Sequence, residues 1–133
     1  MNGHIVQIED ATRDNQHYRR VLFTAKHSQL VLMNLKPGEE IGEEVHGMDQ
    51  FIRFEEGEGT VVLDGEKHAV SDGFAVVIPA GTRHNVVNSG KTAALKLYSL
   101  YSPPEHKDGI IHKTKQEADA DHDHHFDGRT SMK

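Results

Sequence analysis

The sequence predicts an all-β domain, a small barrel or sandwich with few helices, and three observations carry that expectation. Turn signals recur every several residues between short β-rich runs. Asp64-Gly65 sits between Val61-Val62-Leu63 and the run Lys67 to Val70, the pattern of a two-residue hairpin. The apolar run Ala75 to Ile78 ends at Pro79-Ala80-Gly81, a turn that needs a fixed φ and then a permissive residue, and His84 opens the next run.

In chain order the predicted strands are Tyr18 to Ala25, Ser28 to Lys36, Glu40 to His46, Gln50 to Glu56, Gly59 to Asp64, Lys67 to Val70, Ala75 to Ile78, His84 to Asn88 and Ala93 to Tyr101. A Gly47-Met48-Asp49 turn separates the third from the fourth, and Pro103-Pro104 ends the last. The pattern predicts a small jelly roll over residues 18–111, preceded by an N-terminal strand or arm at residues 1–17. From His112 onward the chain is rich in Lys, Asp, Glu and His. Residues 112–133 are therefore expected to form a polar tail that does not pack firmly by itself, with a short helix within reach of Thr114 to Asp121.

Length and composition bound the function. A chain of 133 residues buries one core and little more, and the 35% hydrophobic fraction is low because both ends are polar. No cysteine is present, so disulfides and thiolate zinc sites are excluded and any metal must use His, carboxylate, amide or water. A formal net charge of -6 argues against phosphate-backbone binding, so no nucleic acid partner is expected. No apolar run approaches a membrane span, and the first ten residues lack the charged and apolar regions of a signal peptide; the expected location is cytoplasmic.

Two segments gather ligand-type side chains. Glu44 and His46 are two apart and share a face of an extended strand, and Gln50 returns on the next strand after the Gly47 turn. If His46 and Gln50 point inward, Met48, Ile52 and Phe54 lie on the same side while Arg53 faces out. His84 likewise takes Val86 and Asn88 with it. The implied pocket has apolar walls around a polar base, which suits a small ligand.

The segments resemble the two motifs of the cupin superfamily. The later motif fits at every position, through Gly73, Pro79, Gly81, His84 and Asn88. The earlier one fits in spacing and departs in chemistry: Glu44 stands where the first histidine is usual, His46 matches the second, and Gln50 takes the usual glutamate position. The resemblance spans roughly residues 19 to 102 and is more specific for fold, a single-domain jelly-roll β-barrel, than for reaction. It implies one divalent transition metal (Zn, Mn, Fe, Co or Ni) held by Glu44, His46, Gln50 and His84, with one or two positions left for water or substrate. With Glu44 as the one charged ligand, the site keeps a formal charge of about +1, which favours an anionic or enolate-forming small molecule. Some cupins acting on unsaturated uronates or other sugar derivatives also carry Gln at this position, so the resemblance points the same way.

Arg19, Arg20, Arg83 and Lys96 are the cations available to recognise an acid, and of these Arg20 and Lys96 are assigned to substrate binding with Met48, Ile52 and Phe54. Tyr98 and Tyr101 are possible proton donors on the last strand; Tyr98 is assigned the catalytic role together with His106, which the Tyr101 to His106 segment would carry back over the barrel mouth. The tract Asp121-His122-Asp123-His124-His125 is read as a solvated acidic face, because no partner cluster or rigid element is evident to hold it. Three functions stay open. The first is a metal-dependent isomerase or lyase acting on a small acidic or sugar-derived carbonyl compound. The others are a non-haem dioxygenase, for which Glu44, His46 and His84 would supply a facial triad, and a non-catalytic binding module. A homodimer paired through outer sheets is expected, because exposed β edges gain from being covered.

Overall fold

In the computed structural model, which describes residues 2–132, the chain begins with helix α1 (Ile8–Asp14). Strands β1 (Arg19–Thr24), β2 (Gln29–Leu35), β3 (Asp49–Glu56), β4 (Glu58–Leu63) and β5 (Glu66–Ser71) follow. Then come β6 (Ala75–Ile78), β7 (His84–Val87), β8 (Leu95–Ser102), β9 (Ile111–His112) and helix α2 (Lys115–Ala120). Met1 and Lys133, the outermost residues of the expected arm and tail, lie outside the described residues.

Side-chain alternation explains how these strands stack. In β3, Gln50, Ile52 and Phe54 are buried while Phe51 and Arg53 are half-exposed; in β8, Leu95, Leu97, Ser99 and Tyr101 are buried while alternate residues face out. A six-stranded sheet in the order β6-β3-β8-β2-β1-β9 faces a three-stranded sheet in the order β5-β4-β7, and every pairing is antiparallel. Val31, Met33, Leu35, Ile52, Phe54, Leu95 and Leu97 from the large sheet meet Val61, Val70 and Val86 from the small one, and this apolar layer is the core. No continuous ladder joins the two sheets among the described residues, so the all-β expectation takes the form of a two-sheet jelly roll.

Turn chemistry fixes the register. Asp64 and Gly65 have φ of 48° and 83°, both central residues left-handed as a tight hairpin demands, and Leu63 pairs with Glu66 across them. Gly57 joins β3 to β4 at φ 104°, and a Cβ there would lie 2.4 Å from the Ala94 carbonyl oxygen. Only glycine lets this turn approach the backbone leading into β8 so closely.

Three expectations change. Residues 8–14 form a helix and not a strand or plain arm, because Gln7 caps it by accepting from the Glu9 amide and Glu9, Asp10 and Arg13 complement its dipole. Residues 40–46 are extended but make only isolated bridges, Glu40 to Val87 and Glu44 to His84. The C-terminal residues pack despite their polarity: β9 pairs with β1, the Ser131 amide donates to the Thr24 carbonyl, and α2 is capped by Thr114, whose hydroxyl accepts from the Glu117 amide. Hydrogen bonds do there what apolar area does elsewhere. Among the described residues no helix is long and apolar enough to cross a membrane.

Candidate functional site

The two segments singled out in the sequence meet through the backbone. The amides of Glu44 and His84 each donate to the other's carbonyl at 2.9 Å, the Ile41 amide donates to Val86 at 2.9 Å, and the Gly81 amide donates to the His46 carbonyl at 2.8 Å. Gly81, at φ 86°, lets the Pro79 turn close, and the Ala80 amide donates to Asp49 Oδ1 at 2.9 Å. The stretch from Glu39 to His46 is thereby clamped along β7, on the small sheet, while Gln50 rises from β3 on the large one. The site lies at the seam between them.

Within it, His84 is buried, and its Nδ1 lies 2.9 Å from the Thr82 carbonyl. A carbonyl only accepts, so Nδ1 carries the proton and Nε2 presents a lone pair. The His46 ring stands 5.0 Å from that of His84, centroid to centroid, with its Nε2 3.2 Å from Glu44 Oε2. Gln50 donates through Nε2 to Ser99 Oγ at 3.1 Å, and its Oε1 is a buried acceptor without a partner. Desolvation raises the Glu44 carboxyl above its usual range although Arg19 opposes it, and desolvation lowers the His46 imidazole against the pull of Glu105.

These four donors fit a divalent ion by chemistry. The fit rests on the orphaned Gln50 oxygen, the Glu44 carboxylate and two imidazoles that can present Nε2 lone pairs. As the side chains stand, no three His, Asp or Glu groups among the described residues are disposed around one ion position. Gln50 falls outside that count of His, Asp and Glu, so the fourth donor comes from an amide.

The other assigned residues divide. Ile52 and Phe54 lie inward with Gln50 but are fully buried core, and Met48 packs against that core, so they support the site without lining an open wall. Tyr98 faces outward, its ring 6.3 Å from Phe51, and cannot serve the site; Tyr101 is the inward phenol, edge-on to His46 at 6.2 Å. Lys96 also faces outward, where its ammonium donates to the Arg13 carbonyl and lies 3.7 Å from Glu56. Arg20 is exposed, whereas Arg19 is buried with its guanidinium 3.1 Å from His112 Nδ1. Because Val21, Leu22 and Phe23 are apolar at both parities, the sequence held no signal to choose Arg19 over Arg20.

His106 does fold back, but not as an open acid or base. It is 3% exposed, its ring stands edge-on to Tyr101 at 5.4 Å, its Nδ1 lies 3.2 Å from His124 Nδ1, and its Nε2 has no partner. Gln29 locks its backbone: the buried amide donates to the His106 carbonyl at 2.7 Å and accepts from the amides of Glu105 and His106 at 3.3 and 3.0 Å. Residues 105–107 then pair with 124–126 through Lys107 to His124 and Phe126 to Glu105 hydrogen bonds. The histidine tract is therefore part of the site. His124 and His125 line a pocket of about 310 Å³ with Tyr18, Arg19, Glu44 and Asp121. Sequence reasoning missed Gln29, Glu105, His124 and His125, because a polar tract reports nothing about its docking partner.

Comparison with known proteins identifies the family and the fold. A family model described as a cupin domain matches residues 31–101. An uncharacterized protein, YrkC of Bacillus subtilis (strain 168), is 47% identical over 126 residues, covering 90% of this chain and 67% of that protein. Among solved structures, BH2720 from Bacillus halodurans superposes with a TM-score of 0.86 at 46% identity, over 89% of this chain and 94% of that one. KdgF from Halomonas sp. superposes at 0.60 with 27% identity, over 64% and 76% of the two chains.

Burial of His106 predicts an acid-labile fold. Desolvation pushes its imidazole down to about 2, below the unfolded value near 6.5. The unfolded chain thus takes up this proton first, so its contribution to stability is complete above about pH 6.5 and is lost as pH falls toward 2, by up to about 1.4 kcal/mol per unit. Urea unfolding across this range should show a shallower acid limb in His106→Gln than in the parent. Equal slopes would contradict the buried neutral ring.

Proposed function

Because this chain belongs to the cupin family, we propose that it is a metal-dependent enzyme of isomerase or lyase type acting on a small acidic or sugar-derived carbonyl compound. The observation that carries this reading is that Glu44 and His84 each lie beside His46 at the sheet seam, together with the partnerless Gln50 oxygen. A divalent ion held by these four residues would polarise a substrate carbonyl as a Lewis acid.

The chain's own residues supply the rest. Asp121 on the pocket wall is engaged by His112 and Asp119 by Lys115, whereas the Arg19 Nε has no partner. Arg19 is therefore the cation that favours the acidic end of a ligand. Tyr101 is fully enclosed, and desolvation holds its hydroxyl well above the usual phenol range, so it acts as a donor and not a base. His124 faces the pocket, and desolvation lowers its imidazole, which keeps it neutral and able to accept a proton from the carbon beside the carbonyl. His124 takes the role first assigned to His106.

Two copies are proposed to pair through the outer face of the six-stranded sheet. Phe23, Leu30, Leu100, Phe51 and Val77 stand in one register row across β1, β2, β8, β3 and β6, with Val77 66% and Leu100 40% exposed. A straight apolar row is self-complementary about a two-fold axis.

Two experiments test these readings. Chelator-stripped protein, reloaded with Zn, Mn, Fe, Co or Ni in turn, should convert at least one member of a panel of sugar acids and sugar phosphates followed by NMR, and His124→Ala should be slower by about a hundredfold or more. Failure of every ion with every compound would overturn the enzyme reading. Light scattering at micromolar concentration should give a dimer for the parent and a monomer for a Val77→Glu, Leu100→Glu double variant, whereas a monomeric parent would refute the pairing.

A further inference from the structure

The proposed metal centre leaves one buried atom to account for. If Nε2 of His46 turns toward Glu44 and the ion, the neutral ring carries its proton on Nδ1, and a buried N–H needs an acceptor. The group facing Nδ1 is Glu105, whose Oε2 lies 3.5 Å away; its side chain is 8% exposed. At that separation the pair is a close polar contact and not a formed hydrogen bond. A ligand imidazole backed by a carboxylate has its tautomer and direction fixed and its basicity raised.

Glu105 is unusually well placed for this. Its amide is held by the buried Gln29 side chain and its carbonyl accepts from the Phe126 amide, so its backbone is pinned on both sides. Its second oxygen, Oε1, lies 3.3 Å from His125 Nδ1. One carboxylate thus spans from a ligand of the proposed centre to the histidine tract at the C-terminal end. His125 itself is 70% exposed in its side chain, so this end of the link opens to solvent.

We infer that Glu105 is a positioning residue that orients His46, and that His125 shares its carboxylate, so that docking of residues 122–126 tunes the affinity of the metal site. The inference rests on the metal reading given above. It assigns the C-terminal histidines to the support of the centre and not to a separate chelating tract.

Cobalt(II) is the probe. The affinity of the full-length chain, free of any added histidine tag, is measured by competition with a chromophoric chelator, together with the visible ligand-field bands of the bound ion. Glu105→Ala should weaken binding ten- to hundredfold, on the order expected for a supporting carboxylate, and shift those bands. Glu105→Gln, which keeps an acceptor oxygen and the side-chain shape, should recover part of the affinity, and His125→Ala should lose a smaller factor than Glu105→Ala. Parent-like affinity and bands in both Glu105 variants would overturn the positioning role while leaving the metal centre intact. Parent-like behaviour of His125→Ala alone would overturn the link to the C-terminal segment. A parent that binds no cobalt would instead refute the metal reading on which the inference stands.

Discussion

The reciprocal hydrogen bonds between the backbones of Glu44 and His84 are the constraint on which the rest of the site depends. Residues 40–46 do not form a regular strand, so these bonds, the neighbouring Ile41 to Val86 and Gly81 to His46 contacts, and the Gly42 amide donating to the Asn85 side chain hold that stretch to the small sheet. Held there, it places His46 beside His84; leaving it, the chain crosses to β3 and puts Gln50 on the inner face of the large sheet. A ligand or ion touching all four side chains would therefore tie the two sheets together at their seam. Binding and the stability of the fold should be linked for that reason.

The open end of the seam is closed by polar chemistry. Gln29, at 1% exposure, makes three hydrogen bonds that fix Glu105 and His106 and a fourth to the Thr24 hydroxyl, and Glu105 and His106 in turn receive the histidine tract. Arg19 reaches the same wall through His112, whose Nδ1 must accept because guanidinium only donates, leaving Nε2–H for Asp121 at 2.9 Å. Such a network keeps its geometry only while every member is satisfied. It leaves buried polar atoms without a hydrogen-bond partner at His106 Nε2, Arg19 Nε and the Gln50 oxygen.

Much of this was legible in the sequence because it depends on short-range rules. The Asp64-Gly65 hairpin, the Pro79 to Gly81 turn and the inward row of Gln50, Ile52 and Phe54 follow from turn chemistry and period-two alternation. Assignments failed where parity was ambiguous or long-range docking decided. Arg19 and Arg20 precede a run apolar at every position, and Tyr98 and Tyr101 differ in face by a single step of parity on β8. Helix α1 is a seven-residue segment with one fully buried side chain, Thr12, too short for a hydrophobic period to announce it. The histidine tract carries no apolar signal, and its place is set by backbone pairing with residues far away in sequence.

The most direct test of the central claim is a crystal structure of the cobalt-loaded protein with anomalous scattering at the metal edge. One peak per chain is expected at the sheet seam, beside His46 Nε2 and His84 Nε2, with oxygens of Glu44 and Gln50 completing the protein donors. A peak among His106, His124 and His125 with none at the seam, or no bound ion at all, would contradict it.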